Sequence, residues 1–102
     1  MLTDLLTKVW SGYSTKEYKS YKGLTKENLR DNMTNMELVL NMLAEVSSTE
    51  ISKSGEIKNK GNAKKSVIEG GTIAKNARKQ IEEKTEKKIV TSKNNKDIKQ
   101  IN

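Results

Sequence analysis

The residues with the plainest chemistry are cations. Lys64, Lys65, Lys75, Arg78 and Lys79 gather in one stretch, and Lys19, Lys22, Lys26 and Arg30 make a sparser series nearer the start. Cations at this density suit the neutralisation of phosphates on a nucleic acid or of carboxylates on an acidic protein surface. Tyr18 and Tyr21 are interleaved with Lys16, Lys19 and Lys22, and rings beside cations are what a nucleic-acid backbone with stacked bases requires. The bland reading of the same tyrosines is core and rim packing. Other chemistry is scarce. The chain has no His and no Cys, which removes Ser-His-Asp and Cys-His catalysis, thiolate metal sites and disulfides. Glu56-Ile57-Lys58 resembles the end of the acidic-x-Lys nuclease signature. Such tripeptides arise by chance in a Lys/Glu-rich chain, however, and no partner Asp stands at a suitable distance. The expectation is a non-enzyme, with no catalytic residue, cofactor or metal site.

The net charge of +7 is unevenly placed. Residues 1–57 carry seven Lys/Arg against eight Asp/Glu, whereas residues 58–93 carry eleven against four. This asymmetry points to a polyanionic partner, against the alternative of a solvated surface that confers solubility. With 102 residues, 32% of them hydrophobic and 4% aromatic, the chain is at most one domain with a marginal core, so a homodimer that completes the core is an expectation. The first ten residues lack the basic region and long apolar run of a signal peptide, and no segment has the length of a membrane span. A soluble protein of the bacterial host cytoplasm, without membrane contact, is expected.

These side chains must be positioned by helices. Thr34 and Glu37 match a capping box, and Met36, Leu38, Val39, Leu40, Met42, Leu43 and Val46 follow, with Glu37, Asn41 and Glu45 four apart. The pattern predicts a central helix over 34–46, buried on several sides, with one narrow solvated stripe. Before it, Leu2, Leu5, Leu6 and Val9 mark a short amphipathic helix that Gly12 can end, with Trp10 on the core. Ser14 and Glu17 open a second helix running to Gly23, and Thr25 a further short one. Gly55 and Gly61 mark a flexible loop over about 47–61. From Asn62 a long helix is predicted, with Ala63, Val67, Gly70, Ala74, Ala77 and Ile81 in a small-residue seam. Gly70-Gly71 reads as close helix packing, as a helix break, or as an anion cradle. Ile89-Val90 is a short strand or anchor. The whole is an all-α small domain over 1–93, followed by a basic polar tail over 94–102.

The segment Tyr21 to Glu45, then Ser48-Thr49-Glu50-Ile51-Ser52, then Glu69 to Ser92, resembles the C-terminal region of the DNA-damage-inducible protein D family. It is similar also to the C-terminal regions of phage and prophage BRO (antirepressor-type) proteins. The blocks that carry the likeness are G-L-x-K-E-N-L-R-D (Gly23 to Asp31) and G-G-x-I-A-x-x-A-R (Gly70 to Arg78). The resemblance implies a role in DNA-damage or recombination transactions, in a family whose N-terminal BRO domain is thought to contact DNA. No counterpart of that domain is seen in this sequence. The family also commonly has a glycine near Glu86 that would cap the long helix. It supplies no catalytic motif.

Two functional classes follow. One is a non-enzymatic binding module of phage or prophage type that engages nucleic acid, independently of base sequence, or a host nucleoprotein complex, through the basic helix face. The other is a phage-encoded inhibitor of a host defence or regulatory protein, of anti-CRISPR or antirepressor type. That class requires an exposed apolar patch, expected around Trp10, Tyr13 and Tyr18.

Overall fold

The computed structural model describes residues 2–54 and 60–92, arranged as four α-helices without a strand among the described residues: α1 (Thr3–Ser11), α2 (Thr15–Tyr21), α3 (Asn35–Ser54) and α4 (Lys60–Thr85). The all-α expectation holds. Glu56-Ile57-Lys58 and the tail 94–102 lie outside the described residues. α3 and α4 form the main packed pair, and α1 lies mostly against α4. No helix of the described residues is long and apolar enough to cross a membrane.

The local signals act as their chemistry requires. Gly12 takes a left-handed conformation (φ 89°) and its N–H donates to Lys8 O, ending α1. Ser14 and Glu17 form a reciprocal capping box, with Ser14 N donating to Glu17 Oε1 at 2.9 Å and Glu17 N to Ser14 Oγ at 3.2 Å. Asp4 Oδ1 accepts from Thr15 N at 2.7 Å and so ties α1 to the start of α2. The helix expected from Thr25 does not form. There the Glu27 carboxylate folds back to accept from Thr25 N and Lys26 N, and only a 3-10 turn at Arg30–Asn32 follows. Local side-chain acceptors have outcompeted the helical ladder.

α3 is central but is packed on one side only. Its polar stripe, expected in solvent, points inward: Glu37 is 0% exposed and Asn41 8%. Val39, Met42 and Val46 instead face outward, 58%, 50% and 57% exposed. The cause lies in the neighbours. α1 and α2 bring the Trp10 indole, the Tyr18 hydroxyl and the Lys22 ammonium against α3, and buried donors need acceptors. α3 also continues through Ser54, into what the sequence predicts as loop. Ser48 Oγ and Thr49 Oγ1 donate to the carbonyls of Ala44 and Glu45 at 2.8 and 2.9 Å, so these polar residues sit in a helix with their hydroxyls satisfied.

α4 runs unbroken through Gly70-Gly71, which decides among the three readings of that pair. A Cβ on Gly70 would lie 2.5 Å from Ser48 N and 2.7 Å from Ser48 Cα. One on Gly71 would lie 2.7 Å from Val9 Cγ1. The two glycines let α3 and α1 approach the same turn of α4, one on each side, and this close packing offsets their low helix propensity. Val67 and Ala74 are buried with them, while Ala63, predicted in the same seam, is exposed near the start of α4. α4 ends at Thr85, and Glu86 adopts φ 58° where a glycine would be unstrained. Ile89 and Val90 then anchor the chain in the core, without forming a strand.

Because a Gly70 Cβ would meet not only the Ser48 hydroxyl but also Ser48 N and Cα, backbone atoms that cannot swing aside, Gly70→Ala is expected to cost at least the 1–3 kcal/mol typical of overpacking. Urea denaturation checks this. An unchanged midpoint would contradict the close approach of α3 and α4.

Candidate nucleic-acid interface

The cations of α4 divide into two groups. Lys64, Lys65 and Lys79 are exposed and Lys75 is half-buried, and at 3.6 residues per turn all four fall on the side away from Gly70 and Ala74. From Lys64 to Lys79 the stripe is about 22 Å long at 1.5 Å per residue. Among the described residues none of the four takes part in an ion pair. Arg78 is different. Its Nε donates to Trp10 O at 2.9 Å, and its guanidinium pairs with Glu82 at 2.9 Å. Glu82 Oε2 in turn accepts from Ile89 N at 3.0 Å. Arg78 therefore donates to the carbonyl end of α1 and, through Glu82, fixes the chain after α4. Placed among the phosphate-binding cations by sequence, it is a structural residue.

The earlier series is broken up in the same way. Lys22 is sealed in the interior, with Nζ 2.7 Å from Glu37 Oε1 and both side chains fully buried, so it has no access to a phosphate. Arg30 is exposed but makes a two-pronged pair with Glu45, at 2.9 and 3.2 Å. Lys19 is half-buried and Lys26 exposed. Of the expected second patch, only these two remain uncommitted among the described ion pairs.

Around Lys22 lies the arrangement that the sequence reading missed. The Glu37 carboxylate accepts from Lys22 Nζ, from Tyr18 Oη, from Thr34 N at 2.8 Å and from Thr91 N at 3.3 Å. Thr34 Oγ1 accepts from Glu37 N at 3.3 Å, so the predicted capping box is present, but its carboxylate serves three further donors. The only available signal was a capping glutamate followed by an unusually apolar helix, which pointed to its backbone role alone. All oxygens of this cluster are engaged by the protein's own groups except Thr91 Oγ1, a buried hydroxyl without a partner among the described residues.

The aromatic residues form one continuous chain of rings. Trp10 lies 6.2 Å from Tyr18, Tyr18 6.0 Å from Tyr13, and Tyr13 stacks on Tyr21 at 5.4 Å between centroids. Trp10 and Tyr18 are fully buried, and Trp10 Nε1 donates to Asn41 Oδ1 at 3.1 Å. Neither can belong to an exposed patch, which corrects their expected place at a protein interface. Tyr13 is half-buried and Tyr21 exposed.

No protein-family model, curated protein or solved structure matches this chain. Within Gly70 to Arg78, Gly70 and Gly71 admit two helices, Ala74 is fully buried, and Arg78 donates to Trp10 O.

Burial, and then the hydrogen bond to the Glu37 carboxylate, push the Tyr18 phenol far above its usual value of 10.0. The folded chain thus keeps this proton while the unfolded chain releases it near pH 10, so the stabilisation is complete below that pH and is lost as the pH rises past it. Tyr18→Phe, which removes a hydrogen bond to a charged group, should cost about 1.5–3 kcal/mol at neutral pH. The gap between wild type and variant should narrow above about pH 10. Denaturant titrations at neutral and alkaline pH check both; a gap that is constant with pH would contradict the assignment.

Proposed function

We propose that this protein is a non-enzymatic binding module of phage or prophage type that engages a nucleic-acid backbone, alone or within a host nucleoprotein complex, through the outer face of α4. The observation that carries the reading is the stripe of Lys64, Lys65, Lys75 and Lys79 on one side of a long helix, without acidic partners among the described residues. Along about 22 Å such a stripe runs beside roughly six phosphates of one strand, at 3.4 Å of helix axis per phosphate. Lysines act here as point charges on phosphates, and Asn76 and Gln80, exposed beside them, are too few to read a series of base edges, so binding is expected to be nearly indifferent to base sequence. The resemblance to the DNA-damage-inducible protein D family supports a setting in DNA-damage or recombination transactions of a bacterial host. The competing reading, an inhibitor that docks on a host defence or regulatory protein, loses its best anchors because Trp10 and Tyr18 are interior.

Changing Lys64, Lys65, Lys75 and Lys79 together to Gln should weaken binding to DNA and RNA of any sequence and lower the salt slope by roughly 0.7–0.9 per lost phosphate contact. The melting temperature should stay nearly unchanged, as surface substitutions usually alter stability by less than about 0.5 kcal/mol. Arg78 is left intact because its loss would loosen the joint between α1 and α4. Titrations at two salt concentrations decide the matter. No measurable affinity of the wild-type protein at low salt would overturn the proposal.

A further inference from the structure

A pocket of about 340 Å³ lies between α1, α2, α3 and the segment that precedes α3. Small-molecule sites begin at about 300 Å³. Leu29, Met33 and Asn41, all buried, line it together with Lys19, Arg30 and Glu45. Asn41 decides its character. The Trp10 indole N–H can only donate, so its 3.1 Å bond to Asn41 Oδ1 fixes which way the amide faces and leaves Nδ2 directed elsewhere. That nitrogen has no hydrogen-bond partner among the described residues, although Asn41 is only 8% exposed. It is not sealed off, since Thr91 Oγ1 is the one fully buried side-chain polar atom without a partner among them. Asn41 thus keeps a little open surface in the pocket it lines, and a donor this deep requires an acceptor.

The rest of the lining is also rich in donors. Lys19 is half-buried and takes part in no ion pair among the described residues. Arg30 spends two of its five N–H groups on Glu45, at 2.9 and 3.2 Å, which holds the guanidinium at the pocket and occupies the carboxylate. Asn28 Oδ1 accepts from Asp31 N at 3.3 Å, so its amide N–H groups are what it offers to the pocket. The adjoining groove shares Thr15 and Lys19 and adds Lys16, while its one carboxylate, Asp4, accepts from Thr15 N at 2.7 Å. Donors and positive charge therefore converge beside the apolar side chains of Leu29 and Met33.

We infer that this pocket binds a small organic oxyanion, a carboxylate or phosphate monoester carried on an apolar body. The body rests on Leu29 and Met33, and the oxyanion accepts from Asn41 Nδ2 in the interior and from Lys19 at the mouth. Charge-assisted bonds of this kind are the strong ones, and here the interior donor adds selectivity because it cannot turn away to solvent. The site is separate from the lysine stripe of α4 and does not rest on it.

Magnetic-resonance titration of the isotope-labelled full chain with phenyl phosphate and with benzoate tests this. The Asn41 side-chain amide and the Trp10 indole N–H signals should move saturably, and the tighter of the two probes assigns the head as phosphate or carboxylate. Inorganic phosphate, which lacks the body, and benzyl alcohol, which lacks the charge, should bind at least about tenfold more weakly. Asn41→Asp keeps an acceptor for Trp10 but sets an oxyanion where the donor was, and should abolish the movement of the indole signal. Lys19→Gln, a change at the mouth that does not threaten folding, should weaken probe binding several-fold. Changing Lys64, Lys65, Lys75 and Lys79 to Gln should leave it unaltered, so that this site and the α4 surface fail independently. No saturable movement of the Asn41 signal with either probe would overturn the inference. So would inorganic phosphate binding as tightly as the organic probes, or a Lys19→Gln variant that binds them like the wild type.

Discussion

A single buried carboxylate joins parts of the chain that are far apart in sequence. Glu37 receives the ammonium of Lys22, which follows α2, the hydroxyl of Tyr18 within α2, the backbone of Thr34 at the start of α3, and the backbone of Thr91 beyond the end of α4. Removing two opposite charges from water is costly, and the pair is tolerable only where geometry is good and the remaining lone pairs are filled. Here they are filled by three further donors. The same requirement makes the arrangement selective, because any other packing of α2 on α3 would strand either the carboxylate or the ammonium in the interior.

That constraint explains why α3 lies with its polar stripe inward. Once Glu37 is committed to Tyr18 and Lys22, the helical period carries Asn41 inward as well, to meet the Trp10 indole, and brings Glu45 to Arg30. Val39, Met42 and Val46 are then turned outward by the same geometry. The rotation also separates structural cations from available ones. Lys22, Arg30 and Arg78 each have an acidic partner, whereas Lys64, Lys65, Lys75 and Lys79 on the outer face of α4 have no ion pair among the described residues. The outward apolar face of α3 follows from the Glu37 cluster, while the lysine face of α4 is set by Gly70, Gly71 and Arg78 on its inner side.

Much of the fold was legible because its signals are local. The capping boxes at Ser14 and Thr34, the glycine stop at Gly12 and the small residues of α4 act through neighbours a few positions away, and each is found where its chemistry predicts. What failed was non-local. The period of α3 distinguishes an apolar side from a polar one but does not say which side meets the rest of the chain; that depends on Trp10, Tyr18 and Lys22, between 15 and 31 residues away. For the same reason Lys22 and Lys26 look alike in sequence, although one is interior and the other exposed. The helix expected from Thr25 was lost to the reach of the Glu27 side chain, and the loop expected after Val46 is helix because Ser48 and Thr49 bond to their own preceding turn.

Whether the Glu37 cluster holds α2 and α3 together is decided by a double-mutant cycle on Lys22 and Glu37, read by urea denaturation. Lys22→Met strands a carboxylate and Glu37→Gln strands an ammonium, and each should destabilise the protein by about 3–5 kcal/mol, the cost of breaking a buried pair from one side. The double variant should lose clearly less than the sum, by about 1–3 kcal/mol, as expected for partners in direct contact. Two single effects below about 1 kcal/mol that simply add, as for a pair in solvent, would contradict the account.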